Sequence, residues 1–137
     1  MLFTQKSEVD IHEMSPLALA FVGDAVLELL VRARLVGTTR LQPNRLHTVA
    51  THYVSAHAQN LELDIIEPML TDAEAAVLRR GKNACKATVA KHATVQEYRA
   101  STGFECLLGW LYLNGQLDRV HELFDTLWQQ FDPNETR

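Results

Sequence analysis

The sequence predicts an all-α protein. Three observations carry that expectation: hydroxyl caps stand just ahead of apolar runs, the apolar residues recur at helical spacing, and no segment keeps the period-two alternation of a strand bounded by hairpin turns. Ser15-Pro16 sets a capping side chain before a proline at the first helical position, so a helix opens there and runs to Gly37. Pro43 opens a second, long helix, in which Leu46, Val49, Tyr53, Val54, Leu61 and Ile65 keep helical spacing until Pro68 stops it. Thr71-Asp72-Ala73-Glu74 has the form of a capping box for a short helix ending at Gly81. Thr94-Val95-Gln96-Glu97 has the same form and launches a helix that stops at Asn114-Gly115. A last helix, from about Leu117 to Phe131, precedes Pro133 and a polar tail.

A chain of 137 residues is expected to form a single domain spanning 1–137, with its core at about 14–131, large enough to need no disulfide or structural metal. Cys85 and Cys106 have no metal-ligand spacing, which points to reduced thiols and a cytoplasmic protein. The first residues lack the basic flank and apolar core of a signal peptide, and Asp24 and Glu28 interrupt the apolar run at 17–31, so neither a leader nor a membrane span is expected.

Two carboxylates stand where an ionised group should be uncomfortable. Asp24 lies within Leu17-Ala18-Leu19-Ala20-Phe21-Val22-Gly23-Asp24-Ala25-Val26-Leu27, and Glu105 within Gly103-Phe104-Glu105-Cys106-Leu107-Leu108-Gly109-Trp110-Leu111. An unpaired buried carboxylate costs several kcal/mol or stays protonated, so two of them imply a cation between them. Gly23 and Gly103, each in a helix interior, are the residues expected where two helices cross closely and offer one carboxylate each to a shared cleft. Hard oxygen ligands suit Mg²⁺ or Mn²⁺ rather than zinc. The alternative is structural: each acid pairs with an arginine such as Arg32 or Arg99.

The net charge of −4 opposes nucleic-acid binding, but its distribution does not. Arg79, Arg80, Lys82, Lys86, Lys91 and Arg99 face only Glu97 over residues 79–99, a local +5 that leaves −9 for the rest of the chain. Such a strip is either a solvated surface loop or a phosphate-binding patch. An acidic metal site beside a basic strip is the layout of a phosphodiester-cleaving enzyme. Other constellations are weaker. His47, His52 and His57 are five apart and point in different directions on a helix, and Asp118-Arg119-Val120-His121 is one half of a di-iron pattern whose remainder is missing.

Leu19-Ala20-Phe21-Val22-Gly23-Asp24-Ala25-Val26-Leu27-Glu28 resembles the signature helix of the ribonuclease III family, and Ser101-Thr102-Gly103-Phe104-Glu105-Cys106-Leu107-Leu108-Gly109-Trp110-Leu111-Tyr112-Leu113 resembles its second catalytic segment. Leu46-His47, Val54-Ser55-Ala56, Leu78-Arg79-Arg80-Gly81-Lys82-Asn83-Ala84 and Tyr98-Arg99-Ala100-Ser101-Thr102 resemble the subgroup Mini-ribonuclease III, which consists of the catalytic domain alone. The likeness covers about residues 14–115 in colinear order.

That resemblance implies a ribonuclease III-like endonuclease fold, a compact helical bundle forming a symmetric homodimer. It implies a Mg²⁺-dependent endoribonuclease, with Mn²⁺ able to substitute, that cuts double-stranded RNA to 5′-phosphate and 3′-hydroxyl ends. Asp24 and Glu105 are then the catalytic metal ligands. Ala20 and Thr102 stand where larger relatives carry acids, a departure typical of the subgroup, and Thr102 is left to orient a water. Phe21 matches the aromatic that enters the partner subunit, although the pattern alone allows a core phenylalanine equally well. Glu28 is either a supporting acid beside Asp24 or the i,i+4 partner of Arg32. The 22 residues after Gly115 can make only one helix, not the double-stranded-RNA-binding domain of larger relatives, so Arg79, Arg80, Lys82, Lys86 and Lys91 are assigned to RNA binding as a group. The implied substrate is precursor 23S ribosomal RNA in an assembling large subunit, with a large-subunit ribosomal protein as possible partner. A catalytically silent dimeric scaffold that binds RNA or the ribosome through the same fold is the competing reading, and retention of both carboxylates argues against it.

Overall fold

The first helix, α1 (Pro16–Thr38), starts where the serine cap places it: Ser15 Oγ accepts the Ala18 N–H at 3.1 Å. The computed structural model describes residues 7–85 and 93–136, and among these there is no strand. Both capping boxes form. Thr71 and Glu74 bond reciprocally at the start of α4 (Asp72–Ala84), and Thr94 and Glu97 do the same at the start of α5 (Val95–Leu113). α5 ends in a Schellman turn: Gly115, at φ +76°, donates to the Tyr112 carbonyl, and Gln116 donates to that of Leu111. α6 (Leu117–Gln130) follows at once.

The expected long helix from Pro43 to Pro68 is two helices, α2 (Pro43–Val54) and α3 (Ala56–Ile66). Ser55 breaks it. Its backbone is extended (φ −64°, ψ 157°), its N–H still closes α2 on Thr51, and its hydroxyl accepts the Ala58 N–H as the cap of α3. One residue thus ends one helix and begins the next. The α4 helix likewise passes the expected stop at Gly81, which is no cap but a packing contact.

α5 is the axis of the bundle and packs against α1, α3, α4 and α6. It is buried on nearly all sides, from Ala100 through Phe104 and Leu107 to Leu111. The other helices show it their apolar stripes: Leu27 and Val31 from α1, Leu63 and Ile66 from α3, Leu123 and Leu127 from α6. Tyr53 of α2 stacks on Trp128 of α6 at 4.7 Å between ring centroids. Arg119 of α6 reaches across to α4, where its fork meets both Glu74 oxygens at 2.9 Å and its terminal nitrogen donates to Met69 O at 2.7 Å. No helix among the described residues is long and apolar enough to cross a membrane.

Candidate active site

Two glycines decide how closely α1 meets α5. A Cβ on Gly23 would lie 1.6 Å from the Glu105 carbonyl oxygen, and one on Gly109 would lie 1.9 Å from that of Leu19. The helices therefore touch backbone to backbone, which only glycine permits. The expected pairing of Gly23 with Gly103 is corrected by this contact. Gly103 faces α4 instead, where its added Cβ would strike Lys82 Cγ at 2.7 Å and Leu78 O at 2.9 Å, and Gly81 is its counterpart on that side. The sequence marked the right kind of residue and the wrong partner, because helical spacing gives a face but not its neighbour.

The crossing brings the side chains of Asp24 and Glu105 together, close enough for the charge of Asp24 to act on the Glu105 carboxyl. The Glu105 carboxyl is pushed up to about 8, first by burial and then by the negative charges of Asp24 and Glu28, while a hydrogen bond from Gln59 opposes the shift. Glu105 is half-buried, as its apolar surroundings imply. Asp24 is exposed, contrary to expectation. The apolar run around it does not all face inward: Leu17 and Phe21 also point outward from α1, Phe21 with 83% of its surface free. Phe21 is therefore not a core residue of its own chain.

The arginine-pairing alternative fails on geometry. Arg32 is taken by Glu28, Nε to Oε2 at 2.9 Å, and Arg99 is taken by the end of α4, donating to Lys82 O and to Asn83 Oδ1 at 3.1 Å each. Asp24 and Glu105 thus face each other with no cationic side chain paired to either among the described residues. Thr102, one turn before Glu105, is buried and donates its hydroxyl to Tyr98 O at 3.0 Å.

Gln59 is the site residue that sequence reasoning missed. Its Nε2 donates to Glu105 Oε2 at 3.1 Å and to Val54 O at 3.0 Å. The available signal was a polar residue on a stripe of α3 otherwise bound for the core, with Ala58, Leu63 and Ile66 as its companions. Glu62 interrupts the same stripe. It is wholly buried, neither carboxyl oxygen has a hydrogen-bond partner among the described residues, and burial raises its pKa well above the ordinary glutamate value.

The basic strip is not one uniform surface. Arg79 and Arg80 stand exposed on α4, Lys82 is half-buried with Nζ 3.7 Å from Glu67, and Arg99 is tied to α4 as described. Lys86, Lys91 and His92 lie outside the described residues. His57 contacts Glu97, and no group of three or more His, Cys, Asp or Glu side chains forms a metal cluster among the described residues. A cation here would have two protein carboxylates, Asp24 and Glu105, with Glu28 nearby. Such a set suits a hard ion that keeps most of its shell as water and phosphate oxygens.

The Ribonuclease III domain family matches residues 17–116. A Mini-ribonuclease 3 from Enterococcus faecalis is 45% identical over 118 residues, covering 85% of this chain and 89% of the relative. A Mini-ribonuclease 3 from Symbiobacterium thermophilum is 46% identical over 110 residues, covering 80% of this chain and 85% of the relative. The fold is similar to an X-ray crystal structure of a Fusobacterium nucleatum protein, with TM-score 0.79 and 28% identity, over 88% of this chain and 96% of that one.

Proposed function

Because this chain belongs to the ribonuclease III family, in its Mini-ribonuclease 3 branch, we propose that it cuts double-stranded RNA at a site where Asp24 and Glu105 hold a divalent cation, Mg²⁺. The observation that carries the site is the approach of two carboxylates with no arginine or lysine paired to them among the described residues. Burial and mutual repulsion favour a proton on Glu105, and a divalent ion relieves both by standing where the proton would. When bound, Mg²⁺ supplies a Lewis acid that activates water and offsets charge on the phosphoryl group. Asp24, on the open side, meets solvent and incoming phosphate, whereas Glu105 anchors the site to the core. The products are 5′-phosphate and 3′-hydroxyl ends.

The exposed Phe21, with Leu17 one turn away, is the contact of an isologous dimer, and two symmetry-related sites then each cut one strand of a duplex. Arg79 and Arg80 are free to grip phosphates, with Lys82, Lys86 and Lys91 as the rest of that group. Likeness to the branch is what supports precursor 23S ribosomal RNA as the natural substrate and a large-subunit ribosomal protein as a partner.

The test is cleavage of a long RNA duplex in Mg²⁺ and in chelator, by wild type and by Asp24→Asn and Glu105→Gln. Wild type should cut only with metal, and both variants should fold, bind duplex and fail to cut. Near-normal cutting by either variant at limiting Mg²⁺ would sink the two-carboxylate site, and duplex binding by wild type without metal-dependent cutting would point to a scaffold.

A further inference from the structure

We propose that Gln59 is a positioning residue for Glu105, an amide anchored on the broken corner between α2 and α3 that fixes one carboxylate oxygen and leaves the other to face Asp24 and the cation. The inference rests on the metal reading of Asp24 and Glu105. The geometry begins at Ser55. In an unbroken helix the Ala58 N–H would bond the Val54 carbonyl, but here the Ser55 hydroxyl takes that N–H at 3.1 Å. The Val54 carbonyl is left to the Gln59 side chain, which meets it at 3.0 Å. The second amide hydrogen goes to Glu105 Oε2 at 3.1 Å.

The Val54 carbonyl can only accept, so the amide nitrogen rather than Oε1 must face it, and the Gln59 side chain has one orientation. That orientation leaves Gln59 Oε1 buried without a partner among the described residues, in a side chain only 1% exposed. A residue selected only to fill space would not carry an unmet acceptor, since an apolar side chain of the same shape avoids that cost. What the amide provides in return is the only hydrogen-bond donor found on Glu105 among the described residues, against two neighbouring acids, Asp24 and Glu28. Residues that orient metal-binding carboxylates act in this way, through the ligand rather than on the substrate.

The test uses Gln59→Met, of similar length and without a donor, and measures Mn²⁺ binding to the RNA-free protein by calorimetry, melting in chelator, and the split of kcat and KM. Mn²⁺ affinity should fall by roughly ten-fold, the lower end for loss of a residue supporting a ligand. Melting in chelator should hold or rise, KM for duplex should stay, and kcat at limiting Mg²⁺ should drop. Ser55→Ala is the second variant. It returns Ala58 N–H to Val54 O, frees the amide, and should weaken Mn²⁺ binding in the same direction and less. Unchanged Mn²⁺ affinity in whichever variant folds overturns the positioning role, provided Glu105→Gln loses affinity. If Glu105→Gln also binds Mn²⁺ like wild type, the metal reading itself is what fails.

Discussion

Glu62 sets the terms at the scale of single residues, because among the described residues it is the one acid held in the core with neither oxygen bonded. Its folded pKa lies well above the ordinary value of 4.5, so the folded protein keeps this proton to higher pH than the unfolded chain does. Stability from this group is therefore full below about pH 4.5 and declines as pH rises toward the folded value. Replacing it by Met should gain about 1–3 kcal/mol at neutral pH, the cost of an unmet buried polar group, and should flatten that decline. Urea unfolding at pH 5 and pH 8 in chelator measures both, and an unchanged slope would mean that Glu62 finds a partner in solution. Glu105, pushed up to about 8, has the same sign, so Glu105→Gln should also be the more stable protein at pH 8 without metal. Asp24 and Glu105 were legible in the sequence because acids stand out in apolar runs. Gln59 and Glu62 were not, because a polar residue on a helix announces itself only once the face it occupies is known.

At the scale of elements, the close crossings separate glycines that are needed from one that is not. Gly23→Ala drives a methyl into the Glu105 carbonyl, a backbone atom that cannot step aside, and should cost about 3 kcal/mol or more or prevent folding. Gly37→Ala, in the last turn of α1, meets nothing within 4 Å and should gain up to about 1 kcal/mol. Chemical denaturation of the two variants checks the contrast, and similar effects would show that α1 and α5 do not touch as described. Helix starts were legible because a cap is a local event: Ser15, Thr71 and Thr94 need only the next three residues. The Ser55 break was not, because apolar spacing continues across it from Tyr53 to Leu61 and a serine inside a helix looks the same as one between two.

For the whole molecule, what matters is which surfaces remain uncommitted. Phe21→Ala should leave melting of the single subunit nearly unchanged, since the ring touches little of its own chain, while weakening self-association by about 2 kcal/mol or more. Sedimentation across a dilution series reads this out, and an unaltered association constant would remove Phe21 from the contact. Replacing Arg79 and Arg80 together by Ala should lower the log-log salt slope of duplex binding by about two units, one per lost phosphate contact, equally for duplexes of different sequence. A count of charges could locate this region but not divide it, because only the fold reveals that Arg99 is tied to α4 and that Lys82 leans toward Glu67. The contact of Gly23 with Gly109 reaches further than stability. With no side chains between them to yield, the α1 and α5 backbones keep a fixed separation, and the two carboxylates can part only by the reach of their own side chains. Ionic radius then becomes a criterion for entry: Ca²⁺, which prefers longer bonds and more oxygens than Mg²⁺, should sit badly between the two carboxylates and fail to support cutting even when it is abundant.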